Sequence, residues 1–455
     1  MAEARRKPAS DIVGAGRDAQ VAIQRHHLFD AWLVTTDRVY TVVADNIASA
    51  LTREDAKRQR AIRAADLASR KAVIHGLFAN LAYARASDLA RGLSRPTAMA
   101  VSLRSGSRKL TRYDRRGFAS LRNVIAVLSK AGANPPVIVE TSHRLGRASL
   151  VAASPSLSEM FAKFRPRPQC FQRVRGGEVI RLSRTTRDRE DNTRTVEPIH
   201  YPDPEAGGPL EPVRLRAEME AINRHLRQPT YEFLPDGGSP VLIADRELCR
   251  QFKLPAGEET PRFDLCGRLF GGWWQTLSRE RRHSIRIDGE PMADLDFSNM
   301  FLRLAYLQMG TTPPEGDLYA GFAGLSEPQW RAGIKRVVNA MLCREGRLQR
   351  LPRDTRGMLP AELSAADIRA SILGAHPLLA PMFEAGKGLG LMFAESQTLV
   401  TALLWLIEAG ITALPMHDGL MVAQTKAGIA AALMGDAAEA VTGHRLPISL
   451  KTIQE

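Results

Sequence analysis

Cysteine is scarce in this chain: Cys170, Cys249, Cys266 and Cys343 are the only four in 455 residues. No two of them form a CxxC pair, so neither a disulfide framework nor a zinc site is indicated, and a reducing cytoplasm is the expected compartment. Long apolar runs are scarce as well. Met1 to Pro8 carry charge where a signal peptide has its apolar stretch. The most apolar segment, Thr398 to Ile411, is broken by Glu408 and Gly410 and is too short to span a bilayer, so no membrane partner is expected. Internal repeats are absent, which excludes solenoids and propellers.

Positive charge, by contrast, is plentiful. Lys and Arg outnumber Asp and Glu by 63 to 49, for a formal net charge of +14. A surplus of this size points to polyanions, because bound Lys and Arg release the counterions condensed on phosphates. Hydrophobic residues make up 44% and charged residues 25%, the proportions of a globular chain with buried cores. The length suggests two or three domains.

The chain divides by composition. Residues 1–100 read as a basic helical region, with Val73, Leu77, Leu81 and Ala84 at three- and four-residue steps after a basic tail. Residues 101–183 contain an amphipathic helix, Ser120 to Lys130, with Leu121, Val124, Ile125 and Leu128 on one face and Arg122, Asn123 and Lys130 off it. Two β-prone runs follow, Val137 to Glu140 and Ser149 to Ala152, joined by the basic turn His143-Arg144-Leu145-Gly146-Arg147. Helix, then hairpin with a basic tip, is the order of a winged helix. In that reading Arg144 and Arg147 would meet phosphate and the helix carrying Arg122 would enter a groove; a purely structural helix and hairpin fits the pattern equally well. Residues 184–212 are polar and rich in Pro and Gly, the composition of a linker. Residues 213–455 form the last region.

Four segments of that last region carry chemistry-bearing residues. In Asp294-Leu295-Asp296-Phe297-Ser298, a β-prone run ends at Asp296 and passes into a helix. A carboxylate at such a strand end suits a hard divalent cation, although Asp296 would serve equally as a helix cap. In Leu414-Pro415-Met416-His417-Asp418-Gly419-Leu420, Asp418 lies near the tip of a hairpin between two apolar runs, where an unpaired carboxylate is costly. Arg331 and Lys335, four apart, share one helix face and converge on one polyanion or merely on solvent. Gly267-Arg268-Leu269, followed by Trp273-Trp274-Gln275, combines close backbone approach, charge and stacking surface. At least one of the two tryptophans is expected in the core.

The order of these segments resembles the family A (Pol I-like) DNA polymerases and the phage-type single-subunit RNA polymerases. Asp296-Phe297-Ser298 with Leu302-Arg303 resembles their motif A. Arg331, Lys335 and the apolar residues after them resemble motif B, and Lys335-Arg336-Val337-Val338 is similar to the RNA polymerase branch. His417-Asp418 between apolar runs resembles motif C, and Phe393-Ala394-Glu395-Ser396-Gln397 is similar to the opening of the helix before it. The resemblance covers residues 260–425 and departs at three points. Gly419 replaces an acid, Phe301 replaces the Glu that screens the sugar, and Cys343-Arg344 replaces Tyr-Gly, which leaves the choice between DNA and RNA synthesis open.

The resemblance implies a helix-rich α+β fold: a right hand with an antiparallel palm sheet and helical fingers, preceded by a helical N-terminal domain with the winged-helix-like segment. It implies a template-directed DNA polymerase using nucleoside triphosphates and a DNA template or template-primer. The alternatives are a single-subunit RNA polymerase or primase, and a non-catalytic DNA-binding initiator or regulator with a degenerate palm. Asp296 and Asp418 would bridge two Mg²⁺ (or Mn²⁺) ions, with Lys335 and His417 completing the catalytic set. Arg331, Lys335, Ser298, Phe301 and Asn339 would bind the nucleotide, and Arg268, Trp273, Gln275 and Gln397 the nucleic acid.

Overall fold

The computed structural model describes residues 27–451, except 57–62, 91, 94–96, 102–111, 116–117, 132–134, 141–148, 166–169, 175, 188–193, 239–240 and 356. The chain is a mixed α/β protein, rich in helix, whose sheets are mainly antiparallel. It folds as two compact units: residues 1–177 with 237–245, and residues 178–236 with 246–455.

The first unit contains β1 (His27–Leu28), β2 (Leu33–Thr35), α1 (Arg38–Ala56), α2 (Ala64–Ala90), β3 (Met99–Val101), α3 (Leu121–Leu128), β4 (Val137–Glu140), β5 (Ser149–Ala153), α4 (Pro155–Phe164) and β6 (Phe171–Arg173). The long α2 supplies its axis, because Val73, Ile74, Leu77, Phe78 and Leu81 recur at helical spacing and are all buried. Strands order β1-β3-β5-β4 in one sheet, and β2 pairs with β6. A division at residue 100 is therefore incorrect. Strand β3 crosses that position, and Val124, Ile125, Leu128, Val137 and Val151 join the same core as α2. The helix-then-hairpin order holds as local structure, with Val139 opposite Val151 across β4 and β5 and Arg122 exposed on α3. Arg144 and Arg147 lie outside the described residues.

The second unit contains β7 (Ile180–Arg187), β8 (Arg194–Pro198), α5 (Glu211–Leu226), β9 (Tyr231–Phe233), β10 (Cys249–Leu254), β11 (Cys266–Phe270), β12 (Ile285–Ile287), β13 (Glu290–Phe297), α6 (Met300–Gln308), α7 (Arg331–Cys343), α8 (Ala365–Ala375), α9 (Gly388–Glu408), β14 (Ala413–Pro415), β15 (Gly419–Ala423), α10 (Ala427–Thr442) and β16 (Ile448–Lys451). The expected linker at 184–212 is a correction. Residues 184–187 and 194–198 are strand, paired in the sheet β11-β10-β7-β8. Polar composition misled here because β8 is an edge strand whose residues are mostly exposed, and an edge strand is kept polar to discourage further pairing.

The second sheet positions the site. Its order is β14-β15-β13-β12-β9, with β16 also on β13, and every pairing is antiparallel. Both β15 and residues 292–295 of β13 are buried throughout; β15 reads as a continuous apolar run, whereas the buried stretch of β13 includes the acid Asp294. Helix α9 is 21 residues long and apolar enough to cross a bilayer by length and composition, longer than the 398–411 run suggested. Half of its most apolar window is buried, and it packs on α10, β11, α6 and α5, as a core helix does.

Candidate functional site

Strand register brings together two carboxylates that are distant in the chain. Asp296 sits opposite Gly419 on β15 and opposite Ser449 on β16. Asp418 lies one residue before Gly419, and its carbonyl accepts a hydrogen bond from the Phe297 N–H at 3.0 Å. Strict alternation along β15 would send Asp418 to the face opposite Asp296. It escapes this because residues 417–418 form the bend of the β14–β15 hairpin, closed by the Met416 N–H to the Gly419 carbonyl at 2.8 Å. Both half-exposed acids line one open cavity of 1360 Å³, together with Ser298, Arg331 and Lys335.

Gly419 explains one departure from the polymerase pattern. A Cβ at this position would run into Asp296 Oδ1 and the Leu295 carbonyl oxygen, and would lie 3.0 Å from Asp296 Cα. The carboxylate of Asp296 occupies the space that any side chain at 419 would need. Gly419→Ala is expected to cost about 1–3 kcal/mol, the usual range for overpacking, and to lower the melting temperature measurably in a calorimetric scan. An unchanged melting temperature would mean that β13 and β15 lie further apart.

Helix α7 faces the acids with Arg331 and Lys335, both exposed. The Arg331 guanidinium is held by Asp317, with one contact at 2.9 Å, and it reaches Asn299 Oδ1 at 3.5 Å. The hydrogen bonds from Arg331 are the main reason that the Asp317 carboxyl stays below the ordinary carboxylate range. Both cations lie over the Tyr319 ring, at 5.6 Å for Arg331 and 5.8 Å for Lys335, within the range of a cation–π contact. Arg303 is buried and donates to the carbonyls of Ser298, Pro314 and Gly316 at 2.9–3.1 Å. That clasp ties the loop carrying Asp317 and Tyr319 to the start of α6.

A smaller cavity of 120 Å³ opens beside Asn299, Lys335 and Asp418, walled by Phe301, Tyr319 and Asn339. At its back, Arg268 donates two hydrogen bonds to Glu395, at 2.7 and 3.0 Å. Glu395 is 2% exposed. Burial pushes its carboxyl up to about 7, with Arg268 pulling it down and Asp418 pushing it further up. Arg268, expected on nucleic acid, is thus engaged within the fold. His417 is open to solvent but stacked at 5.3 Å against Phe270. Crowding of its hydration, then the Arg268 charge, lowers its pKa and favours the neutral imidazole.

Three expected nucleic-acid contacts have other roles. Trp273 is 2% exposed and packs against Tyr231, Phe233 and Trp274, so it is core and cannot stack on a base. Gln275 donates to the carbonyls of Leu269 and Pro415 and accepts from the Gly271 N–H. With Trp274 Nε1, which donates to the same Pro415 carbonyl at 2.8 Å, it braces the strand end just before His417. Gln397 accepts from Arg250, a fully buried arginine that also donates to the Gly267 carbonyl at 2.9 Å. Polarity and aromaticity in the sequence do not say which way a side chain faces, which is why Trp273 is found in the core. Tyr319, Asp317 and Glu395 were missed as site residues. An acid such as Glu395 within a helix as apolar as α9 was the available signal.

Among the described residues, no group of three or more His, Cys, Asp or Glu is arranged to hold a metal. Asp296 and Asp418 offer hard carboxylate oxygens beside an open cavity. That donor set fits Mg²⁺ or Mn²⁺, which take one or two carboxylates and complete their shells with water and substrate phosphates, and does not fit a closed zinc site.

No protein-family model matches the chain, and no curated protein matches it. Among solved structures, the POL domain of Pol1 from M. smegmatis, in complex with DNA primer-template and dNTP, aligns at 10% identity with a TM-score of 0.29. The alignment covers 92% of this chain and 66% of that one, so the chain spans just under two thirds of that structure's length.

Proposed function

We propose that the second unit is a template-directed nucleic-acid polymerase. The observation that carries this reading is the pairing of β13 with β15, which sets Asp296 and Asp418 side by side on a cavity whose other wall presents Arg331 and Lys335. The reaction is attack of a 3′-hydroxyl on the α-phosphorus of a nucleoside triphosphate. A new P–O bond forms, the bond to the β-phosphate bridge breaks, and pyrophosphate leaves.

Asp296 and Asp418 would hold two divalent cations, which when bound supply Lewis acidity at the attacking hydroxyl and neutralise the leaving pyrophosphate. Lys335 and Arg331 bind and orient the triphosphate, Arg331 exchanging Asp317 for phosphate. Positioning and charge neutralisation are most of what phosphoryl transfer asks of a protein. Ser298, Asn299 and Phe301 form the floor next to the acids. His417, neutral and stacked on Phe270, supports the bend that carries Asp418. The basic surface of the first unit, including Arg122 on α3, is proposed to engage DNA. DNA synthesis is the leading product class, with RNA synthesis or priming next.

The test is direct. Incubated with primed or unprimed single-stranded DNA, Mg²⁺ and either dNTPs or rNTPs, the protein is expected to make products whose composition follows the template. Products from unprimed template would assign priming, and homopolymers on every template would replace templated synthesis with terminal transfer. No incorporation under any condition, with Mg²⁺ or Mn²⁺, leaves a nucleic-acid-binding protein.

A further inference from the structure

We infer that Tyr319, paired with Asn339, reads the 2′ position of the incoming nucleotide's sugar; this rests on the polymerase reading above. Arg331, Lys335 and Asn339 follow one another at four-residue steps on α7, a ladder on one helix face with about 6 Å of rise per step. The first two rungs are the cations that face the acids, and the third carries an amide. A triphosphate bound with its α-phosphate near Lys335 and Asp418 therefore presents its pentose, the next group along, at the level of Asn339. The 120 Å³ cavity opens at that level, beside Lys335 and Asp418. It is far smaller than the open cavity that holds the acids and the two cations.

Tyr319 forms one wall. It is 1% exposed, and its ring is fixed by Arg331 and Lys335 on the side toward the phosphates. Its hydroxyl points to Asn339 Oδ1 at 3.5 Å. That separation is beyond the usual range for a hydroxyl donor, so the pair is poorly satisfied by itself and has room for a third polar group. The phenol hydroxyl is a donor at neutral pH. Phe301, 7% exposed, adds an apolar surface to the lining of the same cavity. One polar wall and one apolar wall separate a sugar with a 2′-hydroxyl from one without it. Neither Tyr319 nor its loop belongs to the short motifs read from the sequence.

The experiment compares kcat/KM for dATP and ATP on one primer-template, in wild type, Tyr319→Phe and Asn339→Leu. Tyr319→Phe keeps the ring and removes only the hydroxyl, so the fold is retained, and thermal melting verifies this. The preference of the wild type for one sugar over the other is expected to fall by about tenfold or more in both variants, within the discrimination a single pocket group provides. A preference unchanged within about twofold in both folded variants, whatever the fall in overall rate, overturns the inference and leaves the polymerase reading standing. A wild type that extends with neither sugar overturns both.

Discussion

Replacing Asp296 or Asp418 with alanine is expected to lower nucleotide incorporation by at least ~10³-fold while leaving the fold intact. Charge stabilisation by bound cations is worth several kcal/mol at the transition state, and each 1.36 kcal/mol is a factor of ten in rate. Asp296 near the end of β13 and Asp418 in the β14–β15 bend line one open cavity, and the substitutions remove neither backbone pairing nor core volume. Stability should hold, because both side chains line the open cavity rather than the core. Loss of activity without loss of melting temperature is therefore the signature. Titrating Mg²⁺ against each variant adds a second readout, since the half-saturating concentration should rise where a single-turnover rate remains measurable. A variant at either position that retains wild-type incorporation would remove that acid from the chemistry. Equal collapse of melting temperature and activity would make the pair structural.

The second large effect concerns Glu395. Glu395→Leu strands the Arg268 guanidinium, 22% exposed in its side chain, at the back of the small cavity. Breaking a buried pair by removing one partner costs roughly 3–5 kcal/mol, and the lower end applies here because Arg268 keeps some contact with water. The double variant Arg268→Leu/Glu395→Leu should recover much of that loss, because it leaves no charge unpaired. If the two single losses simply add in the double variant, the pair is not coupled.

Glu395→Gln addresses the protonation. The carboxyl is raised from its ordinary 4.5 to about 7. Between those values the folded chain binds the proton more tightly than the unfolded chain does. The group's contribution to stability is therefore fully present below about 4.5 and is lost as the pH rises through about 7. Wild type should lose more melting temperature than Glu395→Gln between pH 5 and pH 8, arbitrary brackets of about that window. Parallel pH profiles would mean that Arg268 keeps Glu395 ionised throughout.

The sequence by itself determined the elements of the site and their types. The strand ending in Asp296-Phe297, the helix from Arg331 and the hairpin around His417-Asp418 all lie where their patterns place them. Each depends on neighbouring residues in the chain: an apolar run, a bend, a helical repeat. Only the tertiary structure decided which way side chains face and which distant groups share a space. Trp273 went to the core, Gln275 and Trp274 to bracing Pro415, and Arg268 to Glu395. Position 419 had to be glycine because Asp296 fills its space. Tyr319 reached the cavity through a loop fastened by Arg303. Local pattern reports backbone conformation, set by residues a few positions away. Burial and pairing are set by residues tens or hundreds of positions away, and sheet register is what brings those together.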